Sequence, residues 1–201
     1  MSSRVISGSL VDRATLASPF ASALRVASVA FGVALTAAAA QFTAPLPFTA
    51  VPFALTPMAV LLIGAALGSR RGAMAQAAYL AAGMLGAEVF APSVALPPGA
   101  ARLLGPTGGF LMAYPLAAFV TGWLAERGWD RRYLTSALAM VAGLAVIYTG
   151  GAVWYTLTVT QSFTTTLATS VLPFAGFDLA KIVIVAAILP QAWRLFGRRA
   201  E

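Results

Sequence analysis

Apolar blocks of roughly 20 residues recur along this chain, and that length is what a helix needs to cross ~30 Å of hydrocarbon. They run at roughly 22 to 42, 56 to 68, 72 to 90, 108 to 125, 133 to 158 and 178 to 196. Only 9% of the residues are charged and the mean hydropathy is +0.85, whereas a soluble domain averages roughly 25% charged. The weak apolar/polar alternation of a membrane β-barrel is missing. The expected fold is therefore all-α: a polytopic membrane protein in which six transmembrane helices form one bundle.

The second block is short. Pro57 opens it and "GSRRG" follows it, so it is expected to begin deep in the membrane and to form a tight hairpin with the third block. The small residues of "ALTAAAAQ", 34 to 41, resemble a signal-peptidase site. The apolar run before them is longer than the 7–15 residues of a secretory h-region, which favours an uncleaved first span. Neither a soluble linker nor an internal repeat is evident. We read residues 1–201 as one integral membrane domain, with a short N-terminal segment at 1–20 and a basic tail at 197–201.

Orientation follows from arginine. Arg4, Arg13 and Arg25 precede or open span one, Arg70 and Arg71 join spans two and three, Arg127, Arg131 and Arg132 join spans four and five, and Arg194, Arg198 and Arg199 end the chain. Eleven of the 13 Lys+Arg thus lie on one side, which the positive-inside rule makes cytoplasmic. Both termini then face the cytoplasm, in agreement with an even number of spans. The net charge of +7 reports topology, so nucleic acid is not an expected partner.

The chain has no cysteine and no histidine, which removes disulfides, thiolate or imidazole metal sites and histidine acid/base catalysis. No metal and no cofactor are expected. Three segments on the outer side, 43 to 55, about 91 to 107 and 159 to 177, are rich in Pro, Gly, Thr and Phe and hold one charge, Arg102. Asp178 and Lys181 stand at the outer end of span six, three apart and so on one helix face. An ionised side chain inside a membrane costs at least ~2.5–3.5 kcal/mol and marks a functional site until its partner is found. The pair is either a structural ion pair or part of a ligand pocket; the cost of desolvating it and its place beneath Gly/Pro-rich outer segments favour the pocket.

"LLGPTGGFL", 103 to 111, sets Thr107, Gly108 and Gly109 at the start of span four. Glycines there allow close backbone approach to a ligand, and the free N–H groups of a helix start favour an anionic or carbonyl oxygen. Taken alone, the motif favours a proline-started helix packed through small residues. Glu88 is a site residue, a partner of Arg102 or a surface carboxylate. Phe90, Trp154, Tyr155 and Phe174 are candidate apolar walls or interface anchors.

Taken together, "VPFALTPMAVLLIGAALGSRRGAMAQAAYLAAGMLGAEVFA", "RLLGPTGGFL" and "LPFAGFDLAK" resemble, in order and spacing, the BioY family of biotin-binding S components of energy-coupling factor transporters. The resemblance covers about residues 25 to 195. It implies a six-helix protein of the bacterial cytoplasmic membrane that captures biotin from the outer side and assembles with a transmembrane coupling protein and two ATPase subunits. It also assigns ligand contacts to Asp178 and Lys181. Biotin's ureido ring offers N–H donors and a carbonyl acceptor, which suit a carboxylate and an ammonium. Its valerate carboxylate needs a cation, and Arg102 is the outer arginine that can supply it. Ala30, Ala34 and Ala38, each four apart, form a small-residue face on span one; the family uses such a face for docking on the coupling protein, and close packing inside the bundle is the alternative.

The implied function is therefore biotin capture as a transporter's substrate-binding subunit and not an enzymatic one; the chain has no Walker A motif, so ATP hydrolysis falls to partners. An independent proton-coupled carrier, with Asp178 titrating, would normally show repeats of broken helices. An intramembrane enzyme would need a nucleophile with its base, or a metal, and Asp178 with Lys181 makes a poor set. The topology is testable because the chain offers no native thiol: single cysteines in 43 to 55 or 159 to 177 are expected to react with an impermeant maleimide on intact cells, and cysteines in 69 to 71 to react only after permeabilisation. Labelling of the 69 to 71 positions from outside would reverse the orientation.

Overall fold

The computed structural model describes residues 9–11, 19–44, 46–47, 49, 51–93 and 96–197. Most of the expected 1–20 and 197–201 segments, with Arg4, Arg13, Arg198 and Arg199, lies outside the described residues.

The apolar blocks form helices close to where hydropathy puts them: α1 (Ala21–Gln41), α2 (Thr56–Leu67), α3 (Ser69–Met84), α5 (Gly108–Ala125) and α6 (Tyr133–Tyr155), with a short α4 (Ala101–Leu104) before α5. Pro57 sits in the first turn of α2, where its missing N–H costs nothing. Gly68, at φ +86°, ends α2 and begins α3, which produces the tight hairpin expected of the short second block. The third block ends earlier than expected, at Met84, since Gly86 at φ +96° turns the chain out of the helix.

The last third departs from expectation. Residues 159 to 177 are helical and not an extended outer loop: after a π-helical turn, Thr156–Thr160, come α7 (Phe163–Thr166), a second π-helical turn, Leu167–Val171, and α8 (Leu172–Val185), then α9 (Ile188–Gly197). The many hydroxyls that make this stretch read as loop are consumed locally. Thr158, Thr169 and Ser170 each donate to the carbonyl four residues back, and Thr156 Oγ1 donates to Thr166 Oγ1 at 2.9 Å. A hydroxyl satisfied in this way no longer opposes a helix in an apolar surrounding.

Segment 43 to 55 is bridged by a two-residue ladder, β1 (Thr43–Ala44) against β2 (Phe53–Ala54), antiparallel with Thr43 opposite Ala54. Among the described residues, four stretches are long and apolar enough to cross a membrane, Ala21–Gln41, Gly108–Ala125, Tyr133–Thr160 and Phe163–Arg194, and Thr56–Leu67 is a shorter apolar helix. The chain is thus a multi-pass helical membrane protein.

Helices α2, α3 and α5 meet through glycine. A Cβ on Gly72 would lie 2.8 Å from Gly64 Cα, one on Gly64 would lie 2.5 Å from Ala118 O, and one on Gly122 would lie 2.5 Å from the Gly68 carbonyl carbon. Such approaches let backbones pack without side chains between them, the main source of attraction where lipid removes the hydrophobic drive. Glu126, at the end of α5, accepts from Ser69 N at 2.8 Å and bonds the Ser69 hydroxyl, closing this end. Ser69 is buried there, so exposed Arg70 is the better position for the labelling experiment. α1 is peripheral: it buries Gly32, Thr36 and Ala40 and is tied to α3 by Gln76 Nε2, which donates to Thr36 Oγ1 at 3.1 Å.

At the arginine-rich end, Asp130 in the turn Trp129–Arg131 is 1% exposed and accepts from the indole N–H of Trp193 on α9. Arg131 lies over the Trp193 ring at 5.1 Å. Burial pushes the Asp130 carboxyl up to about 6, against the smaller opposing effects of the Trp193 N–H and Arg131. A raised carboxyl takes up protons on folding, so this group favours the folded state below the unfolded value of 3.8 and loses that contribution as pH rises through about 6. Thermal unfolding followed by tryptophan fluorescence in detergent should show this falling component between those two pH values, and Asp130→Asn, which still accepts from Trp193, should remove it. An unchanged pH profile in the variant would sink the assignment.

Candidate functional site

At the end of the bundle away from Ser69 and Glu126, the start of α2, the N-terminal part of α5, the C-terminal half of α6 and the start of α8 surround a cavity of about 730 Å³, counted out to its mouth. Its walls are aromatic and aliphatic: Tyr79, Phe90, Phe110, Tyr114, Ile147 and Phe174. Polar groups enter at a few points, chiefly Asp178, Tyr148, Ser170, Thr56, Thr107 and Arg102. Val51, Pro52 and Ala54 of the bridged 43 to 55 segment form part of the rim.

Asp178 is 4% exposed, and donors from two helices hold its oxygens. Lys181 Nζ lies 2.8 Å from Oδ1, and the Tyr148 hydroxyl donates to Oδ2 at 2.7 Å. Lys181 also donates to Ala54 O at 3.0 Å and stands 3.7 Å from the centre of the Phe53 ring, which in turn meets Phe177 edge-on at 5.6 Å. One ammonium therefore joins α8 to the bridged 43 to 55 segment at the cavity rim. Asp178 faces the cavity directly; Lys181 sits behind it and is not part of the lining.

Arg102 is 5% exposed on α4 and lines the cavity. Its Nη2 donates to Ala91 O, while Nη1 is buried without a hydrogen-bond partner. Desolvating a guanidinium nitrogen with no acceptor is costly, and an anionic group in the cavity would relieve that cost. With Asp178 and Lys181 cancelling each other, the chamber carries an excess of one positive charge, from Arg102.

Phe90 and Thr107 line the cavity as expected; Phe90 packs edge-on against Tyr79 at 5.5 Å, in space that Gly83 leaves open. Phe174 also forms part of the wall. Gly108 and Gly109 do not. The Gly108 N–H is spent on Gly105 O, a Cβ on Gly108 would lie 1.8 Å from Leu103 O, and one on Gly109 would lie 2.2 Å from Trp154 Cβ. These glycines serve α5–α6 packing. Trp154 faces that contact, donating to Gly105 O at 2.9 Å, and Tyr155 is buried away from the cavity. Tyr148, seven residues earlier on α6, takes the place given to Tyr155. Glu88 is an exposed surface carboxylate outside the cavity. Ala30, Ala34 and Ala38 are exposed, opposite the buried Gly32, Thr36 and Ala40 face of α1, so they do not pack inside the bundle.

Tyr79, Tyr114 and Tyr148 were not singled out from the sequence. A tyrosine inside an apolar helix reads as an interface anchor; only its spacing from neighbours that also turn inward could have marked it.

The model of the BioY family matches residues 12–198. Among curated proteins, the chain is 38% identical over 147 residues to the biotin transporter BioY of Thermotoga maritima, covering 71% of this chain and 81% of the relative. It is 37% identical over 166 residues to the probable biotin transporter BioY of Pyrococcus horikoshii, covering 83% and 94%. Its fold superposes on the crystal structure of the S-component for biotin from an ECF-type ABC transporter with a TM-score of 0.79 at 23% identity, covering 88% of this chain and 94% of that one.

Packing and ligand roles of the glycines separate in one variant. Gly109→Ala puts a methyl group against the Trp154 side chain and Gly150 O and is expected to lower stability by roughly 1–3 kcal/mol, read as a lower thermal midpoint in detergent, while ligand affinity of the folded fraction stays as in the wild type. A selective loss of affinity at unchanged stability would return Gly109 to the site.

Proposed function

Because the chain belongs to the BioY family, we propose that it captures biotin at the outer face of the membrane and serves as the substrate-binding subunit of an energy-coupling factor transporter. The observation that carries this reading is the buried, partnerless Nη1 of Arg102 in the same cavity as Asp178, whose charge Lys181 balances from behind. A cavity with one excess positive charge, a hydrogen-bonding carboxylate and an apolar middle fits a monoanion whose neutral head carries N–H donors. Biotin has those parts. Asp178 accepts from the ureido ring, with Lys181 supporting it from behind, Arg102 pairs with the valerate carboxylate, and Tyr79, Phe110, Tyr114 and Phe174 enclose the thioether ring. Ligand binding uses no metal or other cofactor.

We further assign six membrane crossings, counting the α2–α3 hairpin with the four long spans, and cytoplasmic termini in the cytoplasmic membrane of a bacterium. The exposed Ala30, Ala34 and Ala38 face of α1 docks on the transmembrane coupling protein, and two ATPase subunits supply the energy. A proton-coupled carrier is the weaker reading, since both oxygens of Asp178 already hold donors. An intramembrane enzyme is weaker still, for want of an activated nucleophile.

Biotin should co-purify with the chain, detected by mass spectrometry after denaturation, and its affinity should depend on both of its ends. Wild type should prefer biotin to biotin amide by about tenfold or more, the worth of a charge-assisted, partly desolvated pair. Arg102→Ala should lose that preference, which isolates the contact as a double cycle. The same preference in both proteins would remove Arg102 from the carboxylate site, and absence of biotin binding would remove the whole reading.

A further inference from the structure

A carboxylate offers about four acceptor positions. In Asp178 one is taken by Lys181 on Oδ1 and one by the Tyr148 hydroxyl on Oδ2. Lys181 holds two bonds, to Asp178 Oδ1 and to Ala54 O, and lies 3.7 Å from the centre of the Phe53 ring, so it engages one oxygen of the carboxylate and leaves the other to a different donor. Rotation about the Asp178 terminal torsion is soft and roughly two-fold. Without a second donor from another helix, the carboxylate is free to turn until the lysine chelates both oxygens, which removes acceptor positions from the cavity. Tyr148 stands where it prevents that turn: it comes from α6, across from α8, its side chain lines the cavity, and its hydroxyl lies 2.7 Å from Oδ2.

We propose that Tyr148 is a positioning residue for ligand recognition: its O–H holds Oδ2 so that the Asp178 carboxylate presents a free acceptor position to a ureido N–H. The proposal rests on the biotin reading. It assigns Tyr148 no bond to the ligand; its effect passes through Asp178. This gives the α6–α8 hydrogen bond a purpose beyond joining two helices. Phenylalanine would fill the same volume and lose only the donor.

The test is biotin titration of the purified full chain in detergent, by calorimetry, for wild type, Tyr148→Phe, Asp178→Asn and the double variant, with thermal unfolding as the control for folding. Tyr148→Phe is expected to weaken biotin about tenfold, the usual size of one charge-assisted hydrogen bond, yet to change affinity by less than about twofold when Asp178 is already Asn. Its biotin-to-amide preference should match the wild type's, since the valerate end is untouched. A merely structural tyrosine, or one that touches biotin itself, would weaken binding by the same factor in both backgrounds, and that result overturns the proposal. So does wild-type affinity in Tyr148→Phe.

Should Asp178→Asn fail to fold, infrared difference spectra on adding biotin decide instead. The carboxylate band of wild type should shift with ligand, and that shift should be altered in Tyr148→Phe; identical bands in the two proteins overturn the assignment. Failure of wild type to bind biotin overturns the functional reading along with it, whereas binding with equal factors in both backgrounds overturns the role of Tyr148 alone.

Discussion

Asp178 carries a charge into a layer where an unpaired ion costs several kcal/mol, and the cavity end of the molecule is arranged so that the charge never stands alone. α8 supplies Lys181, α6 supplies Tyr148, and Lys181 passes the connection on to Ala54 and Phe53 in the bridged segment between α1 and α2. Each bond satisfies a group that hydrocarbon would leave bare. Because those bonds come from separate elements, the same requirement that neutralises Asp178 also fixes α6, α8 and the rim around one cavity.

The two ends of the bundle solve opposite problems. Near Gly64, Gly72 and Gly122, backbones approach so closely that a single added Cβ would collide with main-chain atoms, so α2, α3 and α5 pack directly on one another there. At the other end large side chains, Tyr79, Phe90, Phe110 and Tyr114, hold the helices apart and line the space they create. Small residues close one end and rings prop open the other. Arg102 then gives the open end its sign, since its guanidinium is buried with one nitrogen lacking a partner, a cost that an anion in the cavity would relieve.

The site was legible where it violates the chemistry of its surroundings. Asp178, Lys181 and Arg102 stand out because ions in apolar helices need a reason, and the structure brings Asp178 and Arg102 to one cavity. Tyr148 and Tyr114 did not stand out, because the amphipathic ring of tyrosine is at home in a membrane helix whether it faces lipid, interface or ligand. Gly108 and Gly109 misled for a related reason: a missing side chain admits a ligand or a neighbouring helix equally, and here the neighbour is Trp154. The 159 to 177 stretch misled through its hydroxyls, which look solvent-seeking until their bonds to carbonyls four residues back are known.

Sequence by itself determined the solvent, the span of each apolar block to within several residues over most of the chain, the end that carries the arginines, and the residues whose charge demands compensation, since all of these follow from hydrocarbon thickness and the cost of burying ions. Tertiary structure decided which neutral side chains share the cavity, which glycines serve packing, and that Lys181 supports Asp178 from behind while Tyr148 meets it from across the bundle. Those outcomes depend on how helices far apart in sequence rotate against one another, and an apolar helix with little amphipathic contrast carries almost no periodic mark of which face turns inward.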